Sequence, residues 1–264
     1  MSGKFDLHSA LSVYLLADCS LAAKCGLSLL DVVERAVEGG VTALQLRAKD
    51  SPAIEQWEVG RRLRELAAAA RIPFFVNDRV DLALALDADG VHLGEEDIPV
   101  AAARRLAQAA SRPDLIIGFS TAVPRFARQA VADGADYVSV GNLFGTATKP
   151  DAGDPIGVAP LAEIARQVGV PVIGIGGIDE RSAPSVIDAG GVGVAVASHV
   201  IASANPGEAA RVLARAVEEA KRRRVGAGPA EEGRRAAEGC PPAGSRGSEG
   251  AADARPAAEG GAAR

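Results

Sequence analysis

An α/β fold is predicted, a single closed (β/α)8 TIM barrel followed by a disordered C-terminal tail, and three observations predict it. Short apolar runs alternate with amphipathic helical segments eight times along the chain, the pattern of right-handed β-α-β units and a parallel sheet. The 264 residues are 48% hydrophobic but only 3% aromatic, so the core is built mainly from Ala, Val, Leu and Ile, which suits parallel strands covered by helices. From about Gly226 the composition turns to Gly, Ala, Pro, Glu and Arg, with too little apolar surface to offset the entropy of ordering. Residues 1–225 are accordingly read as the barrel domain and residues 226–264 as a tail outside it.

The elements follow in order. Val13-Tyr14-Leu15-Leu16-Ala17 is a strand stopped by Asp18, and Ser28 opens a helix with Leu29, Leu30, Val32, Val33, Ala36 and Val37 at helical spacing. Gly39-Gly40 ends that helix, a second strand enters at Val41, and Ser51-Pro52 caps a helix running through Trp57 to Ala70. Strands at 72–76, 90–94, 115–119, 137–140, 171–175 and 193–197 are followed by helices at 80–86, 100–110, 124–132, 159–168, 181–189 and 206–224. Eight regular repeats with short loops close more naturally than they splay, which favours a barrel over an open doubly wound sheet. The Gly-rich run Gly174-Ile175-Gly176-Gly177-Ile178 does not match the dinucleotide-binding fingerprint in order or spacing.

The formal charge of -5 argues against a general nucleic-acid binder, so an anionic ligand has to be attracted by a local cluster. Cys19, Cys25 and Cys240 have neither metal-finger spacing nor an even count and read as free thiols. Met1 to Ala10 contains no apolar leader core, and no later stretch supplies the long uncharged run of a membrane helix. The expectation is a soluble, cytoplasmic protein without nucleic-acid or membrane partners; a homo-oligomer stays open.

The chemistry concentrates where barrel strands end, at the carboxyl face that carries barrel active sites. The second strand ends in Gln45, Arg47 and Lys49 at every second position, which puts an amide, a guanidinium and an ammonium on one face. The third ends in Asn77 and Asp78, the fourth leads to Asp97, and the fifth ends in Ser120. After the sixth come Thr146, Thr148 and Lys149, after the seventh Gly176 and Gly177, and after the eighth Ala197 and Ser198. Asp78, Ser120 and Ser198 are also placed to cap the helices that follow them, and Arg47 and Lys49 to pair with rim carboxylates. Together the set holds three cations, two strand-end carboxylates and several small donors, the inventory of a site for a diphosphate and a metal. Mg²⁺ takes one or two carboxylates plus phosphate oxygens and water, whereas a calcium cage needs more oxygens and zinc needs grouped nitrogen or sulfur ligands. The glycines at 176 and 177 and the turn at Ser198 offer backbone N–H groups suited to a second anion, a phosphate monoester. His92, between Val91 and Leu93, reads as a packed residue or one standing behind the site; the role of His199 stays open.

On Gln45-Leu46-Arg47-Ala48-Lys49, Asn77-Asp78, His92-Leu93-Gly94-Glu95-Glu96-Asp97, Gly118-Phe119-Ser120, Thr146-Ala147-Thr148-Lys149 and Gly176-Gly177-Ile178, the chain resembles the thiamine phosphate synthase family over about Val13 to Ala210. QLRxK and TxTK in this order are specific, whereas GGI recurs in many phosphate-binding barrels. The resemblance implies a transferase that joins two phosphorylated small molecules, a pyrimidine methyl diphosphate and a thiazole ethyl phosphate, and releases diphosphate. It implies that Gln45 bonds the aminopyrimidine, that Arg47, Lys49, Asn77, Ser120 and Lys149 hold the diphosphate, and that Arg47, Ser120 and Lys149 are catalytic. Asp78 and Asp97 would ligate Mg²⁺, and Thr146, Thr148, Gly177, Ala197 and Ser198 would receive the thiazole phosphate. Two departures stand out: Gly141-Asn142-Leu143-Phe144-Gly145 lacks prolines usual in the family, and Ala122 stands where a histidine is frequent in the family and in its relative, the thiazole tautomerase. The tautomerase moves a proton and needs a positioned acid-base group, so it is the alternative reading, beside a non-catalytic barrel that binds a phosphorylated metabolite.

Overall fold

The structure, a computed structural model, describes residues 5–145 and 153–238, the side chains of 227–238 excepted. Eight parallel strands close in sequence order, β1 (Val13–Asp18), β2 (Ala43–Arg47), β3 (Phe74–Asn77), β4 (Gly90–Leu93), β5 (Ile116–Ser120), β6 (Tyr137–Val140), β7 (Val172–Ile175) and β8 (Gly193–Val196), and β8 pairs back onto β1. The predicted barrel is therefore the observed one. The helices are α1 (Leu7–Ala10), α2 (Cys19–Lys24), α3 (Leu29–Glu38), α4 (Ala53–Ala70), α5 (Val80–Ala85), α6 (Val100–Ala109), α7 (Pro124–Ala132), α8 (Ala159–Gln167), α9 (Ala183–Asp188), α10 (Ser198–Ile201) and α11 (Pro206–Glu238).

Strand periodicity sorts the side chains into two cores. Val13, Leu15 and Ala17 of β1 and Leu44 and Leu46 of β2 point outward into an aliphatic shell shared with Val33, Leu63, Ala103 and Leu161 of the helices. Inside the barrel lies a smaller cluster that includes Leu11, Tyr14, Ala43, Phe75, Tyr137 and Ile173. Its three aromatic rings touch edge to face or tilted, with centroids 5.2, 5.7 and 6.2 Å apart. Gly118 makes room for them, since a Cβ there would lie 2.1 Å from Cζ of Tyr137. The plug fills the lower barrel, and the residues one layer above it face an open mouth.

Local chemistry explains where elements depart from expectation. Periodicity misses α2, a six-residue helix that buries only Ala22 and is started by the Asp18 side chain accepting from Leu21 N–H at 2.9 Å. Ser51 does not cap α4; Pro52 holds that position with no side-chain bond. Nor does Asp78 cap α5, whose cap residue is Arg79, or Ser120 cap α7, whose cap residue is Val123. Helix α9 begins at Ala183 rather than 181 because Asp179 accepts from the N–H groups of Arg181 and Ser182 at 3.0 and 2.8 Å, a turn that competes with helix.

The chain divides into two compact units, Met1–Gly226 and Ala227–Arg264. The first contains the whole barrel. The sequence predicts a last helix ending at Arg224, but α11 runs to Glu238, so part of the segment expected to be disordered is helical; residues 239–264 lie outside the described residues. No helix among the described residues is long and apolar enough to cross a membrane.

Candidate active site

A cavity of about 500 Å³ opens at the carboxyl ends of the strands, and every predicted site residue that the structure describes lines it. Gln45, Arg47 and Lys49 enter from β2, Asn77 and Asp78 from β3, Asp97 from the loop after β4, Ser120 from β5, Gly177 from the β7 turn, and Ala197 and Ser198 from the end of β8. Thr146, Thr148 and Lys149 lie outside the described residues.

The β2 side carries charge and holds it with partners. Register places Asp18 of β1 opposite Arg47, and the two form a close ion pair in which Asp18 is almost wholly buried. Because Asp18 also caps α2, the guanidinium of this cavity-lining arginine is fixed through one nitrogen. Lys49 Nζ lies 2.8 Å from Asp78 Oδ2. Asp78 has a left-handed backbone, φ 64°, and its N–H donates to the His92 carbonyl at 2.8 Å, so the loop aims its carboxylate at the mouth.

Asp97 accepts from Gly94 N–H at 2.7 Å. Burial raises its pKa above the usual carboxylate value; the bond from Gly94 opposes that rise, and the neighbouring Asp78 carboxylate adds to it. Two carboxylates that repel each other beside a lysine form a donor pair that a divalent cation would relieve. Among the described residues no group of three or more His, Cys, Asp or Glu could hold an ion.

Beneath the charges runs a buried chain of hydrogen bonds. Gln45 Nε2 lies 2.7 Å from the Tyr14 hydroxyl, the Tyr14 and Tyr137 hydroxyl oxygens are 3.2 Å apart, and Tyr137 lies 2.8 Å from His92 Nδ1. His92 Nε2 is 2.7 Å from Ser120 Oγ. Burial pushes the His92 pKa down to about 4, against the pull of the Asp78 charge, so the ring is neutral. Four atoms on described cavity-lining residues, Gln45 Oε1, Asn77 Nδ2, Ser139 Oγ and His199 Nε2, are buried without a hydrogen-bond partner, the last lying 3.6 Å from Glu180 Oε2. Orphaned polar atoms of this kind cost free energy unless a ligand or water satisfies them. The sequence flags His92 but not Asp18, Tyr14, Tyr137 or Ser139, which look like ordinary strand residues until the barrel closes.

The opposite side uses backbone. Gly176 and Gly177 have φ of 99° and 64°, and a Cβ on Gly177 would lie 2.0 Å from the Gly145 carbonyl oxygen, so only glycine fits that turn. Ala197 precedes the short helix α10, which starts at Ser198 without a side-chain cap. Asn142 steadies the neighbouring turn: its Oδ1 accepts from Gly145 N–H at 3.0 Å and its Nδ2 donates to the Gly153 carbonyl at 3.1 Å. These bonds brace the turn from both sides of the Asn142 amide. Ala122 lines the cavity with no titratable group, while Thr121 beside it donates to Glu95 at 2.5 Å.

Residues 13–200 match the family described as "Thiamine monophosphate synthase". The chain is 53% identical over 201 residues to the thiamine-phosphate synthase of Roseiflexus castenholzii (strain DSM 13941 / HLO8), covering 76% of this chain and 86% of that one. It is 48% identical over 192 residues to the thiamine-phosphate synthase of Moorella thermoacetica (strain ATCC 39073 / JCM 9320), covering 73% and 90%. Among solved structures, the thiamine phosphate pyrophosphorylase from Pyrococcus furiosus superposes with a TM-score of 0.73 at 40% identity, over 81% of this chain and 99% of that one.

Proposed function

The chain belongs to the thiamine monophosphate synthase family, and from that premise we propose that it joins 4-amino-2-methyl-5-pyrimidinylmethyl diphosphate to the thiazole ethyl phosphate, giving thiamine phosphate and diphosphate. The observation that carries this reading is the arrangement of Arg47, Lys49, Asn77 and Ser120 around one cavity wall, beside the paired carboxylates Asp78 and Asp97. A wall of this kind is built for a leaving group that gains negative charge.

Gln45 bonds the aminopyrimidine through its free Oε1. Arg47, held from behind by Asp18, donates to the diphosphate together with Asn77 Nδ2, Ser120 Oγ and the Lys49 ammonium. Lys149, carried over from the family motif, completes the clamp. As the C–O bond to diphosphate breaks, the electron pair leaves with the oxygen, and the aminopyrimidine spreads the positive charge left on its methylene. The clamp stabilises the departing charge, and each preorganised donor in such a site is worth about 3 kcal/mol in the transition state. Mg²⁺, held by Asp78 and Asp97, would supply further neutralisation of the diphosphate. The thiazole is held by its phosphate at the Gly177 and Ala197–Ser198 turns, with Thr146 and Thr148, so that its nitrogen faces the methylene and forms the new C–N bond. That nitrogen carries no proton to remove, so no general base is needed. The tautomerase reading calls for a positioned acid-base group, and Ala122 supplies none. Work on soluble phosphorylated metabolites supports a cytoplasmic location for such an enzyme.

Incubation of the protein with both substrates and Mg²⁺ tests the reading. Stoichiometric thiamine phosphate and diphosphate are expected; a folded protein that yields neither overturns it.

A further inference from the structure

The buried chain from Gln45 to Ser120 joins two separate points of the cavity lining, and its hydrogens can be arranged in only two ways that put every tyrosine and imidazole hydrogen to use. Each hydroxyl and the neutral imidazole supply one hydrogen to the chain. In the first arrangement Gln45 Nε2–H donates to Tyr14, Tyr14 to Tyr137, Tyr137 to His92 Nδ1, and His92 Nε2–H to Ser120 Oγ. The Ser120 hydrogen is then free to point into the cavity, and so is the lone pair of Gln45 Oε1. In the second arrangement every bond is reversed. Ser120 gives its hydrogen to His92 Nε2, Tyr14 donates to a turned Gln45 carbonyl, and the Gln45 amino group faces the cavity. Any mixture either sets two lone pairs against each other or converges on one tyrosine and leaves its buried O–H without an acceptor, at a cost of about 1–3 kcal/mol.

We propose that Tyr14, Tyr137 and His92 are positioning residues that couple the two ends of this site. An anion accepting from Ser120 Oγ–H sets every intervening bond in the first direction, and so turns the carbonyl of Gln45, not its amino group, toward the ligand. An N–H donor at the Gln45 end and an anion at the Ser120 end are thus selected together, through the residues that lie between them. On the functional reading above, which this inference deepens, the donor is the exocyclic amine of the pyrimidine and the anion is its own diphosphate. The relay gives a reason for two tyrosines in a chain so poor in aromatic residues to meet inside the barrel, at positions 123 residues apart.

Two measurements on the full chain test the relay. Inorganic diphosphate with Mg²⁺ is expected to tighten binding of 4-amino-5-hydroxymethyl-2-methylpyrimidine by about tenfold, the size of a typical coupling between sites. In Tyr137→Phe and Tyr14→Phe the enhancement is expected to fall below about twofold, with diphosphate alone still bound. An enhancement in both variants equal to wild type overturns the proposal. Because a variant of a buried ring can fail to fold, the second measurement uses the wild-type protein: ¹⁵N NMR of its three histidines, with His92→Asn assigning the signal. In the diphosphate complex His92 is expected as the Nε2–H tautomer; the Nδ1–H tautomer overturns the relay. Diphosphate binding without any pyrimidine binding counts against the functional reading, and the tautomer then decides the relay by itself.

Discussion

The two walls of the cavity are built by different means. From β2 to β5 the wall is made of long charged side chains, each supported: Arg47 by Asp18, Lys49 by Asp78, Asp97 by Gly94 N–H. From β7 to β8 it is made of backbone, with glycines in left-handed conformations at 176 and 177 and a turn at Ala197–Ser198. A charged wall suits a ligand whose charge grows during the reaction, because full charges in a partly desolvated site respond strongly to developing charge. A backbone wall suits a ligand whose charge stays constant and must only be placed, and it adds no net charge to a crowded mouth. On this division, damage to the first wall appears in turnover and damage to the second in the affinity for one substrate.

The largest effect is expected at the paired carboxylates. Asp78→Asn and Asp97→Asn should each lower kcat by on the order of 10²- to 10³-fold and raise the Mg²⁺ concentration needed for half-maximal rate, since on the proposed reading each removes a hard anionic ligand. Metal titrations of initial rate check this, and an unchanged Mg²⁺ requirement in both variants removes the metal from this wall. Removal of Mg²⁺ by chelation should reproduce the loss in the wild-type protein.

Gly177→Ala strikes the other wall. The added Cβ meets the Gly145 carbonyl oxygen at 2.0 Å in a backbone with φ of 64°, so the turn has to shift. KM for the thiazole phosphate should rise by about tenfold or more, a loss of roughly 1.4 kcal/mol in binding, while KM for the pyrimidine diphosphate stays near wild type. Equal increases in both constants would erase the distinction between the walls.

Between the walls lies the neutral layer, and it leaves a mark on stability. The pKa of His92 is lowered from 6.5 to about 4, so between those values the unfolded chain binds a proton that the folded one does not. Stability from this group is therefore full above about pH 6.5 and lost as pH falls towards 4, on the order of 3 kcal/mol in total. Urea denaturation at pH 7 and pH 4.5 should show this fall, and His92→Asn, which cannot titrate, should flatten it. A slope identical in the two proteins would mean that His92 is protonated in the folded state and is not part of a neutral layer.

The charged wall was legible in the sequence and the layer beneath it was not, for a physical reason. Gln45, Arg47 and Lys49 betray themselves by period two, because polar side chains on one strand face need something to meet. Gly177 was legible only as part of a glycine pair, with nothing in the sequence to say which carbonyl it must clear. Tyr14 and Tyr137 read as core residues in apolar strands, and as ring surface they are core. Their hydroxyls acquire a purpose only when barrel closure fixes register, since the contacts among Tyr14, Gln45, Tyr137 and His92 span 31 to 123 residues. Asp18 was visible as the end of a strand; its pairing with Arg47 depends on β1–β2 register, and its capping of α2 on a helix too short to show periodicity.

The smallest effect should come from the end of the chain, because both walls and the layer between them lie within Met1–Gly226. A stop after Gly226 retains Arg224, whose Nη1 donates to the carbonyls of Ile187 and Gly191 at 2.8 and 3.1 Å, and Lys221, whose Nζ reaches the His8 carbonyl at 3.1 Å and Ser12 Oγ at 2.5 Å. These bonds clasp α11 to the segments that lead into β8 and β1, the seam where the barrel closes. Truncation after Gly226 should thus shift Tm by less than about 1 °C and leave both KM values unchanged. Truncation after Ala220 removes both cations and should cost about 2 to 4 kcal/mol, at roughly 1 kcal/mol for each lost bond. Paired melting curves and rates separate the two, and a large loss in the protein that ends at Gly226 would place part of the barrel's stability beyond that residue.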